Sequence, residues 1–179
     1  MATLFAGGCR TFIKDAPEGR WIGAEPGGSL TLNRTVPMPQ GRTRIFLVNG
    51  KARRNGASYQ TSCALEVRQI ERDRDRKLAP GRYRITRIQQ YWTEVAAVGP
   101  DRVRFRFAGH GDGGDGQSMI QTGYRFYLAG DNPDLWRLTC LGVLADPPWA
   151  DPPSLAEIQA ALGPVATLDI RPQGVPGPG

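Results

Sequence analysis

Short runs of alternating apolar and polar residues, each ended by a turn signal, constrain the fold of this chain most. Residues 102–107 (RVRFRF) and 82–88 (RYRITRI) have the period of two that places every second side chain on one face of a β-strand. Turn pairs such as Asn49-Gly50 separate such runs at intervals of roughly 10–15 residues. The 23 glycines and 15 prolines agree with this, because both residues are costly inside helices. The pattern predicts an all-β fold, either an antiparallel β-sandwich or an open barrel.

One segment near the C-terminus has helical spacing instead. Ser154 and Glu157 stand three positions apart, as the two members of a capping box do, and Leu155, Ile158 and Leu162 recur at the helical period. Gly163-Pro164 then ends the pattern. We therefore expect one short C-terminal α-helix.

The first residues resemble the end of a lipoprotein signal sequence. Residues 1–8 are small or apolar and lead to Cys9, and signal peptidases require small side chains ahead of their cleavage site. Ala6 stands where such sequences usually have leucine, and no lysine or arginine precedes the apolar run. An ordinary frayed N-terminus is the alternative interpretation.

The whole chain then divides into three parts. Residues 1–20 are expected to hold a signal-peptide remnant, the lipobox-like Cys9 and a tether, and residues 14–28, which run from the tether into the domain, are rich in turn residues. Residues 21–170 form a single β-rich domain, and 171–179 form a disordered tail. If Cys9 is lipidated, it anchors the protein in a membrane.

Arginine dominates the charge, which is +6 overall. Arg82 and Arg84 share one face of a predicted strand, and Arg102, Arg104 and Arg106 share a face of another. If the two strands are neighbours, these residues form a ladder suited to carboxylates or phosphates, such as those of an anionic glycan. The alternative is that the arginine stems cover the sheet and pair with acidic residues. No nucleic-acid-binding motif is present, so a nucleic-acid partner is not expected.

The sequence contains no motif of a known catalytic site. It lacks a Gly-x-Ser-x-Gly elbow, a His-Glu-x-x-His pair, a P-loop and a Ser-x-x-Lys motif. His110 lies in a glycine-rich segment that would not hold it rigidly. Asp112 and Asp115 are weak calcium candidates, because two carboxylates fall short of the six or more oxygens that calcium takes. We predict no catalytic residue and no cofactor, although a hydrolase whose carboxylates come from different strands would escape such a search.

Two of the three cysteines lie inside predicted strands. Cys63 and Cys140 are either small buried hydrophobes or one disulfide between strands. The sequence pattern alone does not decide between them.

Taken in order, several motifs resemble a group of uncharacterised envelope lipoproteins of proteobacteria. The motifs are the small residues before Cys9, 19–23 (GRWIG), 44–47 (RIFL), 59–63 (YQTSC), 80–87 (PGRYRITR), 138–140 (LTC) and 153–163 (PSLAEIQAALG). The resemblance implies a periplasmic, membrane-anchored protein with Cys9 as its lipid anchor and a Cys63–Cys140 disulfide, and it implies no activity. We expect a binding or structural accessory module of the cell envelope. A subunit of a larger envelope complex and a hydrolase are the alternatives.

Overall fold

The structure is a computed structural model that describes residues 11–19, 21–95 and 119–172. Strands dominate this part of the chain, and one α-helix, α1 (Leu155–Leu162), lies near its end. The strands are β1 (Thr11–Lys14), β2 (Trp21–Leu32), β3 (Val36–Met38), β4 (Arg44–Val48), β5 (Lys51–Arg53), β6 (Ser62–Val67), β7 (Arg76–Leu78), β8 (Gly81–Val95), β9 (Met119–Gly130), β10 (Leu135–Leu141) and β11 (Ala166–Pro172).

Nine of these strands form one antiparallel sheet. Its order is β1-β2-β8-β9-β10-β6-β4-β5, and β11 also pairs with β2. Strands β3 and β7 pair separately as a small second sheet. The large sheet is open rather than closed into a barrel. The prediction of an antiparallel all-β fold with a short C-terminal helix is therefore confirmed.

One face of the large sheet carries the hydrophobic core. Alternate residues of each strand point to this face, as Cys63, Leu65 and Val67 of β6 do. Helix α1 packs against β4, β6 and β11, and Ile158 and Leu162 are its fully buried residues. Burying side chains of this size stabilises the fold by about 1.5–3 kcal/mol each.

The helix begins and ends where the sequence predicts. The Ser154 Oγ accepts a hydrogen bond from the Glu157 backbone N at 3.2 Å, and the Ser154 N donates to the Glu157 carboxylate at 2.8 Å. The end of α1 touches the turn after β4, because Gly163 and Gly50 both have positive φ and no side chain. A Cβ on Gly163 would lie 2.5 Å from the Gly50 Cα.

The first half of β2 departs from the prediction of a turn-rich segment over 14–28. Residues 25–28 (EPGG) lie inside the strand, because β1 and β11 supply backbone partners along it. Gly28 also permits a close approach, since a Cβ there would lie 2.1 Å from the Asp169 carbonyl oxygen of β11. Pairing with distant strands thus outweighs the local turn tendency.

Ordered strands extend beyond both predicted limits of the domain, residues 21 and 170. Residues 11–14, which fall in the predicted tether, form β1 and pair with β2, and Ile13 is fully buried. Arg171, in the predicted tail, pairs with Glu25 of β2. Cys9 and the tail from residue 173 onward lie outside the described residues.

Candidate anion-binding site

The face of the sheet opposite the core is polar, and its residues form rows that cross four or five strands. Residues paired between antiparallel strands stand about 4.5–5.5 Å apart at their Cβ atoms. We call the most highly charged of these rows the arginine row. Across β4, β6, β10, β9 and β8 it consists of Arg44, Glu66, Arg137, Tyr127 and Arg87.

Two further rows follow on the same face. The second row consists of Phe46, Ala64, Thr139, Arg125 and Gln89. The third row consists of Ser62, Leu141, Gly123 and Tyr91. Beyond it, Gln121 of β9 pairs with Thr93 of β8.

Glu66 is the centre of the arginine row, and its side chain is only 5% exposed. Arg137 donates from Nε to Oε1 at 3.0 Å and from Nη2 to Oε2 at 2.7 Å. The Arg44 Nε donates to Oε2 at 2.9 Å, and the Thr139 hydroxyl donates to Oε1 at 2.5 Å. These bonds satisfy both carboxylate oxygens, which a buried carboxylate requires.

The network also keeps Glu66 ionised. Burial acts to raise the pKa of Glu66, but the hydrogen bonds from Arg137 and Thr139 and the charges of Arg44 and Arg137 outweigh it, so the pKa lies below its ordinary value. Burial acts to lower the pKa of Arg137, but the bonds and charge of Glu66 raise it overall. A general acid or base must exchange a proton with its substrate. Glu66 is unsuited to that role, and it instead fixes the two arginines in position.

Aromatic rings hold the rest of the arginine row. The guanidinium carbon of Arg87 lies 3.7 Å from the Tyr127 ring centre, and that of Arg137 lies 4.3 Å from the Trp136 ring centre. The Tyr127 hydroxyl donates to the Gln89 side-chain oxygen at 3.0 Å. Each cation–π contact contributes about 0.5–1 kcal/mol at an exposed site. The arginines of this row are therefore already partnered.

A cavity of about 290 Å³ lies beside the arginine row. This volume is close to the lower end of the range for small-molecule sites, roughly 300 Å³. Its lining includes the charged residues Arg44, Glu66 and Arg125, the polar residues Ser58, Ser62, Tyr91, Thr93, Gln121 and Thr139, and the apolar residues Phe46, Ala64, Val95 and Leu141.

The loop at residues 56–58 forms one wall of the cavity. The Gln121 amide nitrogen donates to the Ala57 carbonyl at 3.1 Å and to the Gly142 carbonyl at 2.8 Å. The Leu144 N donates to the Ser58 carbonyl at 2.7 Å. The loop is thereby tied to β9 and to the segment after β10.

Arg125 differs from Arg44 and Arg137 because no described residue accepts a hydrogen bond from its guanidinium. Its guanidinium carbon lies 3.5 Å from the Tyr91 ring centre, and its Nε is shielded from solvent without a partner in the described part of the chain. An unpaired buried donor costs about 1–3 kcal/mol, and more if charged. Two arginines (Arg44 and Arg125) and one glutamate (Glu66) line the cavity, which gives a formal charge of +1. The lining thus has one more cationic residue than it has carboxylates.

The predicted arginine ladder is only partly within the described residues. Arg82 and Arg84 lie on the polar face of β8, outside the cavity, where the Arg82 Nε donates to the Ser29 hydroxyl at 3.1 Å and Arg84 is exposed. The predicted site residues outside the described ranges are Arg102, Arg104, Arg106, Asp112, Asp115 and Cys9.

Sequence analysis missed the residues that the structure brings together, namely Arg44, Glu66, Arg125 and Arg137. The alternation in the strand around Cys63 does place Glu66 on the face opposite the core. The alternation does not identify the partners of Glu66, because they come from β4 and β10. The sequence therefore predicts which face of the sheet Glu66 lies on, but it does not predict the site.

Cys63 and Cys140 stand directly opposite each other on the core face of β6 and β10. Both are fully buried, their Cα atoms lie 4.0 Å apart, and their sulfur atoms are at disulfide distance. The predicted bridge needs Cα atoms within about 7 Å. The pair joins the same two strands that carry Glu66 and Arg137 on the other face.

Among residues 11–19, 21–95 and 119–172, no three His, Cys, Asp or Glu side chains come together as a metal site. No helix in those ranges is long and apolar enough to cross a membrane. No protein-family model, no curated protein and no solved structure matches this chain.

Proposed function

We propose that this protein is a binding module of the bacterial envelope whose ligand is an anion held in the cavity beside the arginine row. The observation that carries the proposal is Arg125, which lines the cavity and has no hydrogen-bond acceptor among the described residues. Placing a charge in a partly buried site is costly unless it is paired. An anion in the cavity supplies a partner through the Nη groups, since the Nε is shielded from solvent.

The rigidity of the polar face supports binding. Each side chain of the arginine row is fixed by a strand backbone and by a cross-strand partner. A preorganised site loses little conformational entropy when its ligand arrives. The saturation of Glu66 favours this role over hydrolysis, since the buried carboxylate nearest the cavity has no capacity left for proton transfer.

The envelope location is a proposal from the sequence, supported by the cysteines. A buried pair at disulfide distance is typical of oxidising compartments such as the periplasm. Cys9, with small residues before it, serves as the lipid anchor in this proposal.

Anion binding is tested by titrating the full chain with phosphate, sulfate and acetate at low salt, in a calorimeter. We expect at least one of them to bind, and Arg125→Gln to weaken it about tenfold, the loss expected for one charged hydrogen bond. Arg84→Gln is the matched control, because Arg84 is exposed on the same face outside the cavity. Equal losses in both variants would mean that only the overall charge matters, which would contradict the proposal.

Exposed tryptophans support a second candidate, a subunit of a larger envelope complex. Trp92 and Trp149 are 62% and 79% exposed. Thr122 pairs with Trp92 and donates its hydroxyl to the carbonyl of Ala150, which follows Trp149, at 3.0 Å, so both tryptophans lie near Thr122 of β9. Tryptophan is enriched at protein interfaces. Crosslinking in native membranes tests this role, since a Trp92→Ser, Trp149→Ser variant should lose partner bands, and unchanged bands would contradict it.

A further inference from the structure

We infer that the anion is the carboxylate of an acylamino acid. Arg125 holds this carboxylate, and the amide N–H of the same ligand donates to the side-chain oxygen of Gln121. The inference rests on the proposed anion binding and names its ligand class. Such a group occurs in free acylated amino acids and at the C-terminus of a peptide.

The arginine row itself contains a template for the carboxylate contact. Arg137 grips Glu66 through its Nε and Nη2, at 3.0 Å and 2.7 Å. Arg125 lies one strand away in the next row, where its Nε is shielded from solvent and no described residue accepts a hydrogen bond from its Nη groups. The two Nη groups of a guanidinium also match the two oxygens of one carboxylate. A carboxylate on these Nη groups would form a second pair of the kind that the protein already makes internally.

A phosphate suits this lining less well. Its additional oxygens need donors from other directions, as multiple arginines or backbone amides provide in phosphate sites. The second guanidinium in the lining is Arg44, whose Nε is already bonded to Glu66. A planar anion with two oxygens uses what Arg125 offers without leaving further oxygens unpaired.

Gln121 supplies the second element of recognition. Its side chain is buried, and both of its N–H groups donate to backbone carbonyls, of Ala57 and Gly142. Because carbonyls only accept, this fixes the amide orientation and leaves Oε1 as an acceptor. No hydrogen bond to Oε1 exists within the described ranges. A simple alkyl carboxylate would leave this acceptor empty, whereas a ligand with an N–H next to its carboxylate fills it.

The dimensions of the cavity fit a ligand of about one residue. Gln121 and Arg125 are four positions apart on one face of β9, about 14 Å between Cα atoms, and two long side chains and a short ligand fill that distance. The volume of about 290 Å³ corresponds to roughly ten water molecules. Phe46, Val95 and Leu141 also line the cavity and can receive an apolar side chain.

Three related probes test the inference by calorimetry on the full chain at low salt. N-acetylleucine carries the carboxylate, the N–H and an apolar side chain. N-acetylleucinamide lacks the charge, and 4-methylpentanoate lacks the N–H. We expect the amide to bind at least about tenfold more weakly than N-acetylleucine, and 4-methylpentanoate several-fold more weakly, since each lacks one hydrogen-bonded group. Equal binding of all three probes would overturn the inference.

Two variants assign the contacts to their residues. In Arg125→Gln the preference for N-acetylleucine over its amide should disappear, whereas Arg84→Gln should keep it. In Gln121→Leu the preference for N-acetylleucine over 4-methylpentanoate should disappear. A ratio of affinities reports recognition even where a variant weakens all binding by loosening the loop at residues 56–58. Ratios that stay at the wild-type value would overturn the assigned contacts.

Phosphate and a short peptide are the two remaining probes. If phosphate binds in an Arg125-dependent manner and more tightly than N-acetylleucine, the inference fails and the proposed anion binding stands. If neither phosphate nor any carboxylate binds, both fail. The peptide Gly-Gly-Leu distinguishes a peptide C-terminus from a free acylamino acid as the source of the ligand. If Gly-Gly-Leu binds as tightly as N-acetylleucine, a peptide C-terminus is favoured. If Gly-Gly-Leu binds more weakly, a free acylamino acid is favoured.

Discussion

The buried carboxylate of Glu66 offers the sharpest test of how the polar face is held together. Replacing Glu66 with glutamine preserves the size of the side chain and removes its charge. Arg137, whose side chain is 11% exposed, would then keep a buried positive charge without a counter-ion. Breaking a buried pair in this way costs about 3–5 kcal/mol. Arg44 is 52% exposed, so water replaces most of its lost interaction. We therefore expect Glu66→Gln to lower the free energy of unfolding by about 3 kcal/mol at neutral pH, the lower end of that range.

The same pair predicts the direction of a pH effect. The pKa of Glu66 is lowered from an unfolded value of 4.5, so its contribution is fully present above that pH. As the pH falls below 4.5 and through the lowered folded pKa, the folded state loses this contribution. Glutamine does not titrate, so the stability gap between the wild type and Glu66→Gln should narrow in acid.

Urea unfolding monitored by tryptophan fluorescence measures both effects, at neutral pH and at about pH 3. The control is Glu94→Gln, because Glu94 is an exposed carboxylate on β8. We expect the control to stay within about 0.5 kcal/mol of the wild type at both pH values. The account of the network would be refuted if Glu66→Gln also stayed within about 0.5 kcal/mol of the wild type. It would equally be refuted if the stability difference between the wild type and Glu66→Gln were the same in acid as at neutral pH.

Three other measurements test the remaining features. Replacing both Cys63 and Cys140 with serine should lower the unfolding free energy by up to about 4–5 kcal/mol, because a bridge between residues 77 apart constrains the unfolded chain; an equal stability of wild type with and without reductant would contradict this. Tyr124→Phe should raise stability by about 1 kcal/mol, since the buried Tyr124 hydroxyl has no hydrogen-bond partner among the described residues. Burial and Asp151 raise the pKa of Tyr124 above its ordinary 10.0, so the wild type should lose stability above that pH and the variant less. Expression behind a full signal sequence should give a mature chain that begins at lipidated Cys9, and an intact mass that retains Met1 would contradict the anchor.

Local patterns were enough to predict most of the fold. The alternation in β8 and the capping box at Ser154 depend on residues close together in the sequence, and both elements form as expected. The first half of β2 was missed because Pro26 and Gly27 favour turns, whereas the strand is stabilised by β1 and β11. Strand β11 lies far from β2 along the chain, and β1 has only four residues, which is too short to show a period.

The candidate site was hidden from the sequence for a related reason. Glu66 lies 22 residues from Arg44 and 71 residues from Arg137, so the network exists only once the strand order and register are set. A glutamate on the face opposite the core is expected to be exposed. Glu66 is buried because side chains of the neighbouring strands cover it, and no local period carries that information.

Strands β6 and β10 are joined on both faces, by Cys63 and Cys140 on the core side and by Glu66 and Arg137 on the polar side. On the chain-entropy account, the bridge acts mainly by restricting the unfolded chain, whereas the ion pair acts in the folded state. The two contributions share no side chain, so their losses should add to within about 0.5 kcal/mol in the triple variant Cys63→Ser, Cys140→Ser, Glu66→Gln. Urea unfolding in sucrose, which stabilises folded chains, keeps that variant measurable. A triple loss that differs from the sum by more than about 1 kcal/mol would show that the bridge positions the ion pair, and that the polar face depends on an oxidised cysteine pair.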